Sequence, residues 1–113
     1  MVYKELTQDA FQELKADYAF YGTHTETDNY RNEYAVRDEN PKCTVHTMWQ
    51  PLTDYYSVAE YGKAVSKMFY AIIYEDADID YNDVVIIRDA EYEVMGIKYF
   101  NTYTRLEVKK KEG

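Results

Sequence analysis

The sequence predicts a mainly β protein, a small β-barrel or sandwich of about five to six antiparallel strands with one or two short helices. Three observations lead there. Residues 68–109 hold a strand-like run, an acidic link and then three more short strand patterns in quick succession. Fourteen residues are Tyr, a side chain that suits half-buried strands and interfaces. The chain has 113 residues, enough for one domain with a core that needs no staples, so residues 1–113 are expected to form a single domain.

The elements follow in order. Residues 7–17 (TQDAFQELKAD) look helical: Thr7 can cap, Asp9 sits in the first turn, and Phe11 and Leu14 share a face with Leu6 or Ala10. Residues 18–25 alternate Tyr18, Phe20, Gly22 and His24 against Ala19, Tyr21, Thr23 and Thr25, a strand pattern. Residues 26–41 are rich in Asn, Asp and Glu and read as a long hairpin loop, with strand extension around 34–36. Alternation resumes over 43–50, with Cys43, Val45, Thr47 and Trp49 on one face, and Pro51 ends it.

Residues 54–62 read as a short helix with Asp54 as N-cap and Gly62 as the C-terminal stop. A strand covers 68–74, and a second covers 83–87, whose Val84-Val85-Ile86-Ile87 is apolar on both faces and therefore central. The chain turns at 88–91. Within 91–99 the alternation changes phase: Tyr92 and Val94 are even, Ile97 and Tyr99 odd, with Gly96 at the break. A slip of one residue would send the second pair to the wrong face, so a β-bulge at Met95-Gly96 is expected. Residues 100–102 turn again, and 103–109 alternate with Leu106 and Val108 inward.

Charge and composition exclude several classes. The net charge is −8, and Lys109-Lys110-Lys111 is the one basic cluster, so tight binding of nucleic acid through phosphates is not expected. The apolar run 68–74 is far shorter than the roughly eighteen residues of a membrane span, and the first ten residues lack a signal-peptide layout. The single Cys43 precludes an internal disulfide and fits a reducing compartment.

No catalytic signature emerges, and the chain is expected not to be an enzyme and to use no cofactor. Asp76, Asp78 and Asp80 open like a calcium loop, but the sixth and twelfth positions, Gly and Glu in an EF-hand, are Tyr81 and Ile87; the run reads as an acidic link between strands. His24, Cys43 and His46 lack zinc spacing, and Cys43 and His46 have opposite strand parity. Ser57 and Ser66 stand in no nucleophile-elbow context, no pair of carboxylates stands out, and there is no glycine-rich phosphate loop. Trp49, Tyr55, Tyr56 and Tyr61 form an aromatic-rich segment. It reads either as packing onto the barrel or as a partner surface, and both readings stay open. A barrel-type ligand-binding module is the alternative from another class, but binding single-stranded nucleic acid would want a basic groove beside the aromatics.

Several short motifs recur in a recognisable order: Gln50-Pro51-Leu52, then Glu60-Tyr61-Gly62, then Ile79-Asp80-Tyr81-Asn82-Asp83-Val84-Val85, then Tyr92-Glu93-Val94 and Gly96-Ile97. Over residues 45–108 this resembles the small head-tail connector proteins of long-tailed bacteriophages and prophages, the head-completion, stopper or minor capsid proteins. The helix expected at 7–17 departs from the pattern, since many relatives begin almost directly with a strand. The resemblance implies a structural virion protein at the head-tail interface, made in the host cytoplasm. It would be monomeric alone and form a homo-oligomeric ring below the portal, extending or closing the DNA channel without binding DNA specifically. Its partners would be portal or adaptor and tail-side connector proteins, and it would engage no membrane. The loop reaching the channel would map to 53–67, with Asp54, Glu60 and Lys63 as channel candidates and Trp49, Tyr55, Tyr56 and Tyr61 as the subunit interface. A tail-terminator or tail-completion protein is the neighbouring reading.

Overall fold

In the computed structural model, which describes residues 15–111, the alternating runs become β1 (Lys15–Tyr21), β2 (Thr23–Thr27), β3 (Glu33–Arg37), β4 (Cys43–Met48), β5 (Gln50–Pro51), β6 (Met68–Ile73), β7 (Val84–Ile87), β8 (Ala90–Tyr99) and β9 (Thr104–Lys110). Between β5 and β6 lie α1 (Tyr55–Tyr61) and a 3-10 helix (Gly62–Lys67). Seven strands form one antiparallel sheet in the order β4-β1-β7-β8-β9-β6-β5, curled into a nearly closed barrel. The expected mainly β barrel is therefore present. The strand count rises because β5 is a separate two-residue strand and because β2 and β3 pair only with each other.

The ends of the sheet meet through Trp49, the single residue between β4 and β5. Across that seam the Thr47 hydroxyl donates to the carbonyl of Ile72 at 3.1 Å. The inward parity of Val45, Thr47 and Trp49 fills the barrel, where they join Phe20, Val85, Val94, Leu106 and Val108 among others. Each large apolar side chain so buried contributes about 1.5–3 kcal/mol.

Trp49 corrects the expectation of a partner anchor. It is 0% exposed, edge-on to Tyr18 at 5.9 Å and tilted against Phe20 at 6.2 Å. Its position on the inward face of the 43–49 alternation put it there, and its Nε1 has no hydrogen-bond partner among the described residues.

Strand β7 lies between β1 and β8, as its apolar run implied, with Val84 and Val85 both fully buried. Arg88 and Asp89, at φ 50° and 63°, make the two-residue turn that returns the chain to β8, since Ile87 pairs with Ala90. The bulge is where the phase break placed it. Val94 pairs with Val108 and Gly96 with Glu107, leaving Met95 as the extra residue.

The N-terminal helix expected over 7–17 ends in a correction. Lys15, Ala16 and Asp17 are already strand, paired with Met48, Thr47 and His46; the backbone of β4 supplies ladder partners that outweigh a weak local helical preference. The rest of that span lies outside the described residues.

The strand expected over 18–25 is interrupted at Gly22, where residues 38–42 bulge out of the opposing strand. Two bonds tie the break: the Asp38 amide donates to the Gly22 carbonyl at 2.9 Å, and the Lys42 amide to that of Phe20 at 2.7 Å. Beyond it β2 and β3 continue as an arm, realising the strand extension expected near 34–36, and every β2 residue is exposed. The molecule measures 56 × 30 × 26 Å. Polar contacts hold the arm. The Asp28 carboxylate accepts from the amides of Tyr30 and Asn32, and the His24 ring meets Asp38 at 2.6 Å and Glu26 at 3.1 Å.

Candidate interaction surface

Alternation along β9 sends Leu106 and Val108 into the barrel and Arg105 and Glu107 to the outside. Yet Glu107 is 0% exposed, because α1 and its polar contacts cover it. Its carboxylate accepts from the Tyr61 hydroxyl at 2.8 Å, from Lys98 Nζ at 3.1 Å and from Arg105 Nε at 3.1 Å. A carboxylate out of water is tolerated only with such a full set of donors.

The network continues to the start of the helix. Arg105 Nη2 donates to Asp54 Oδ1 at 3.1 Å and to Ser57 Oγ at 3.3 Å. Asp54 is the N-cap expected from sequence, accepting from both the amide and the hydroxyl of Ser57. Lys98 reaches Glu60 at 2.8 Å. Helix α1 is thus clamped at both ends by strands β8 and β9, and Gly62 stops it at φ 62°.

The charges respond to these contacts. The Ser57 hydroxyl holds the Asp54 carboxyl down at about 2, against a burial penalty and with help from the Ser57 amide and Arg105. Burial, then Glu107, pushes the Tyr61 phenol up. The bond to Glu60, reinforced by Glu107, raises Lys98.

Gly96 makes the clamp possible. A Cβ there would stand 2.7 Å from the Tyr61 hydroxyl and collide with the Glu107 carboxylate. The bulge and the missing side chain together open the space in which these two groups meet.

The helix is amphipathic in reverse. A surface helix ordinarily turns its apolar stripe inward. Here Ser57 is the buried residue, whereas Tyr55 is 80% exposed, Tyr56 81% and Val58 46%. The two tyrosines brace each other edge to face at 5.8 Å.

The residues singled out in sequence are therefore sorted. Tyr55 and Tyr56 form an outward aromatic pair. Tyr61 packs onto the barrel through Glu107. Asp54 and Glu60, expected on a channel loop, are held in the clamp, and Lys63 is exposed on the 3-10 helix. The segment 53–67 is a docked helical unit rather than an open loop.

The candidate metal ligands have other partners. Lys42 Nζ binds Asp80 at 2.9 Å and Asp83 at 2.8 Å, with Asp78 at 3.8 Å. Burial works to lower the Lys42 pKa, but Asp83 and Asp80 outweigh it and the net direction is up. Asp76 is exposed. His46 pairs with Asp17 at 2.7 Å, and Cys43 Sγ faces the Asp78 carbonyl at 3.6 Å. Among the described residues no group of three or more His, Cys, Asp or Glu is arranged to hold a metal ion, and no helix is long and apolar enough to cross a membrane.

Sequence reasoning missed Lys98, Arg105 and Glu107. One signal was present: Arg105 and Glu107 are opposite charges two apart on a strand, hence on one face.

No family model and no curated protein matches the chain. Among solved structures, the fold is similar to that of the phage-like element PBSX protein xkdH from Bacillus subtilis. The likeness covers 83% of this chain and 91% of that one, with a TM-score of 0.54 and 12% sequence identity. At that identity the likeness shows a shared fold.

Proposed function

We propose that the chain is a structural virion protein of a long-tailed phage or prophage, a subunit of a ring in the head-tail connector below the portal. The observation that carries this reading is the fold likeness, over most of both chains, to a protein of a phage-like element. It agrees with the ordered motifs from Gln50 to Ile97.

The physical chemistry is compatible. A ring is built from heterologous contacts that close by rotation, which need an uncovered, partly apolar surface on a rigid support. Tyr55, Tyr56 and Val58 on the clamped α1 supply one. The net charge of −8 disfavours adhesion to DNA passing through the ring. The partners are a portal or adaptor protein on one side and a tail-side connector protein on the other. The role requires no cofactor and no reaction.

The test is reconstitution with the cognate portal, imaged by electron microscopy. A ring of this chain at the portal exit is expected. Binding to the end of the tail tube instead would make it a tail terminator, and binding to neither would overturn the reading.

A further inference from the structure

Resting on the ring reading above, we infer that the outward face of α1 packs, in a second copy of this chain, into the groove at the barrel mouth beside the β8–β9 turn. That groove has a volume of about 280 Å³; its floor is Ile73, Ile97 and Leu106, and Glu75, Asp76 and Tyr99 edge it. It falls just below the range of small-molecule pockets, about 300–1,000 Å³, and suits an aromatic side chain or two. An adjoining depression, which shares Glu75, Asp76 and Tyr99 with the groove, carries aromatic rings that are braced before anything binds. Phe100 stacks on Tyr103 at 4.7 Å and Tyr103 meets Tyr74 at 6.4 Å, while Tyr74 and Tyr99 remain 80% and 77% exposed.

The same chain carries the matching projection. Tyr56 on α1 and Lys63 on the 3-10 helix that follows Gly62 belong to the same docked segment, and both are exposed. An exposed aromatic ring and an exposed cation on one segment meet an apolar floor edged by two carboxylates. Lys63 opposite Glu75 and Asp76 sets the orientation by charge, and the ring supplies the buried area. Projection and groove are different surfaces, so each copy uses both. The contact is head-to-tail, the type that generates rings.

Two variants test this, both in a Cys43→Ala background and both checked for an unchanged melting profile. Ala59→Cys sits beside the projection and Thr102→Cys beside the groove, at exposed positions that spare the contacting side chains. They are treated with a short bis-maleimide, singly and mixed, in concentrated solution and on the portal. The expected product is a dimer containing one of each, in clear excess over like pairs. Lys63→Glu in the first variant should lower its yield about tenfold, the effect of losing one well-placed charge pair. Asp76→Lys in the second variant should restore it. Like pairs alone, products only with portal or tail proteins, or no dimer would each overturn the inference. A ring seen on the portal without the mixed dimer overturns this contact and leaves the ring reading standing; absence of the ring removes the ring reading itself.

Discussion

The two faces of the β8–β9 pair are held by opposite means. On the inner face Val94, Leu106 and Val108 are at most 1% exposed and pack in the barrel core. On the outer face Lys98, Arg105 and Glu107 join Asp54, Ser57, Glu60 and Tyr61 of the helical segment. The inner face is non-directional and tolerates small shifts, because apolar burial scales with area. The outer face is directional, and its members depend on one another. The contrast explains how a seven-residue helix, too short to be stable alone, keeps a fixed pose while its aromatic residues face outward.

Substitutions on both faces and a change of pH probe the contrast, beginning with the inner side. Val85→Asp is predicted to abolish folding, because a carboxylate would be buried between β1 and β8 with no donor. Soluble mutant protein with a cooperative melt would contradict the central position of β7. Glu107→Ala comes next. It leaves Lys98 and Arg105 beside an empty position, and chemical denaturation should show a loss of about 3 kcal/mol, the lower end for breaking a buried pair because Lys98 is partly exposed. Glu107→Gln keeps an acceptor and should lose less; equal losses would mean that shape, not charge, matters at this site.

Acid acts on the same network more gently. The folded pKa of Asp54 lies at about 2, below the unfolded value of about 3.9. Its contribution is therefore complete above pH 4 and is lost as the pH falls through 2. Asp54→Ala should cost about 1 kcal/mol at neutral pH, as for other N-caps, and should flatten that acid dependence. A mutant whose stability falls between pH 4 and 2 as the parent's does would remove Asp54 from this role. The smallest effect on stability belongs to Tyr55→Ala with Tyr56→Ala. Both side chains are largely exposed, so unfolding should shift by no more than about 0.5 kcal/mol, while assembly with the portal should be impaired. Unimpaired assembly would show that α1 is not the subunit interface.

The inner face was legible in the sequence because it is written in local alternation. Leu106 and Val108, the central Val84 and Val85, the bulge at Gly96 and the cap at Asp54 all follow from neighbours a few residues apart. Trp49 was misassigned: the general enrichment of Trp at interfaces put it on the subunit surface, whereas its parity with Val45 and Thr47 carries it into the core. The outer network was not legible. Tyr61 and Glu107 are 46 residues apart in the chain, and Lys98 and Glu60 are 38 apart. Only the fold brings them together, and seven residues of helix are too few for periodicity to say which side faces the barrel. The strand at Lys15 was hidden for the same reason, since it depends on pairing with Met48.

The pairing of β1 with β7 bears on the order in which the protein folds. Those strands share two residue pairs, Phe20 with Val85 and Tyr21 with Val84, which lie far apart in the chain. The β1–β4 ladder and the β7–β8–β9 meander are by contrast joined through nearby chain. Contacts that close long loops lag those that close short ones, so the meander and the first hairpin should form as separate pieces and the barrel should shut last along this narrow join. Pulse-labelled hydrogen exchange during refolding should protect the amides of β8 and β9 before that of Tyr21; simultaneous protection would mean that the barrel forms in one step.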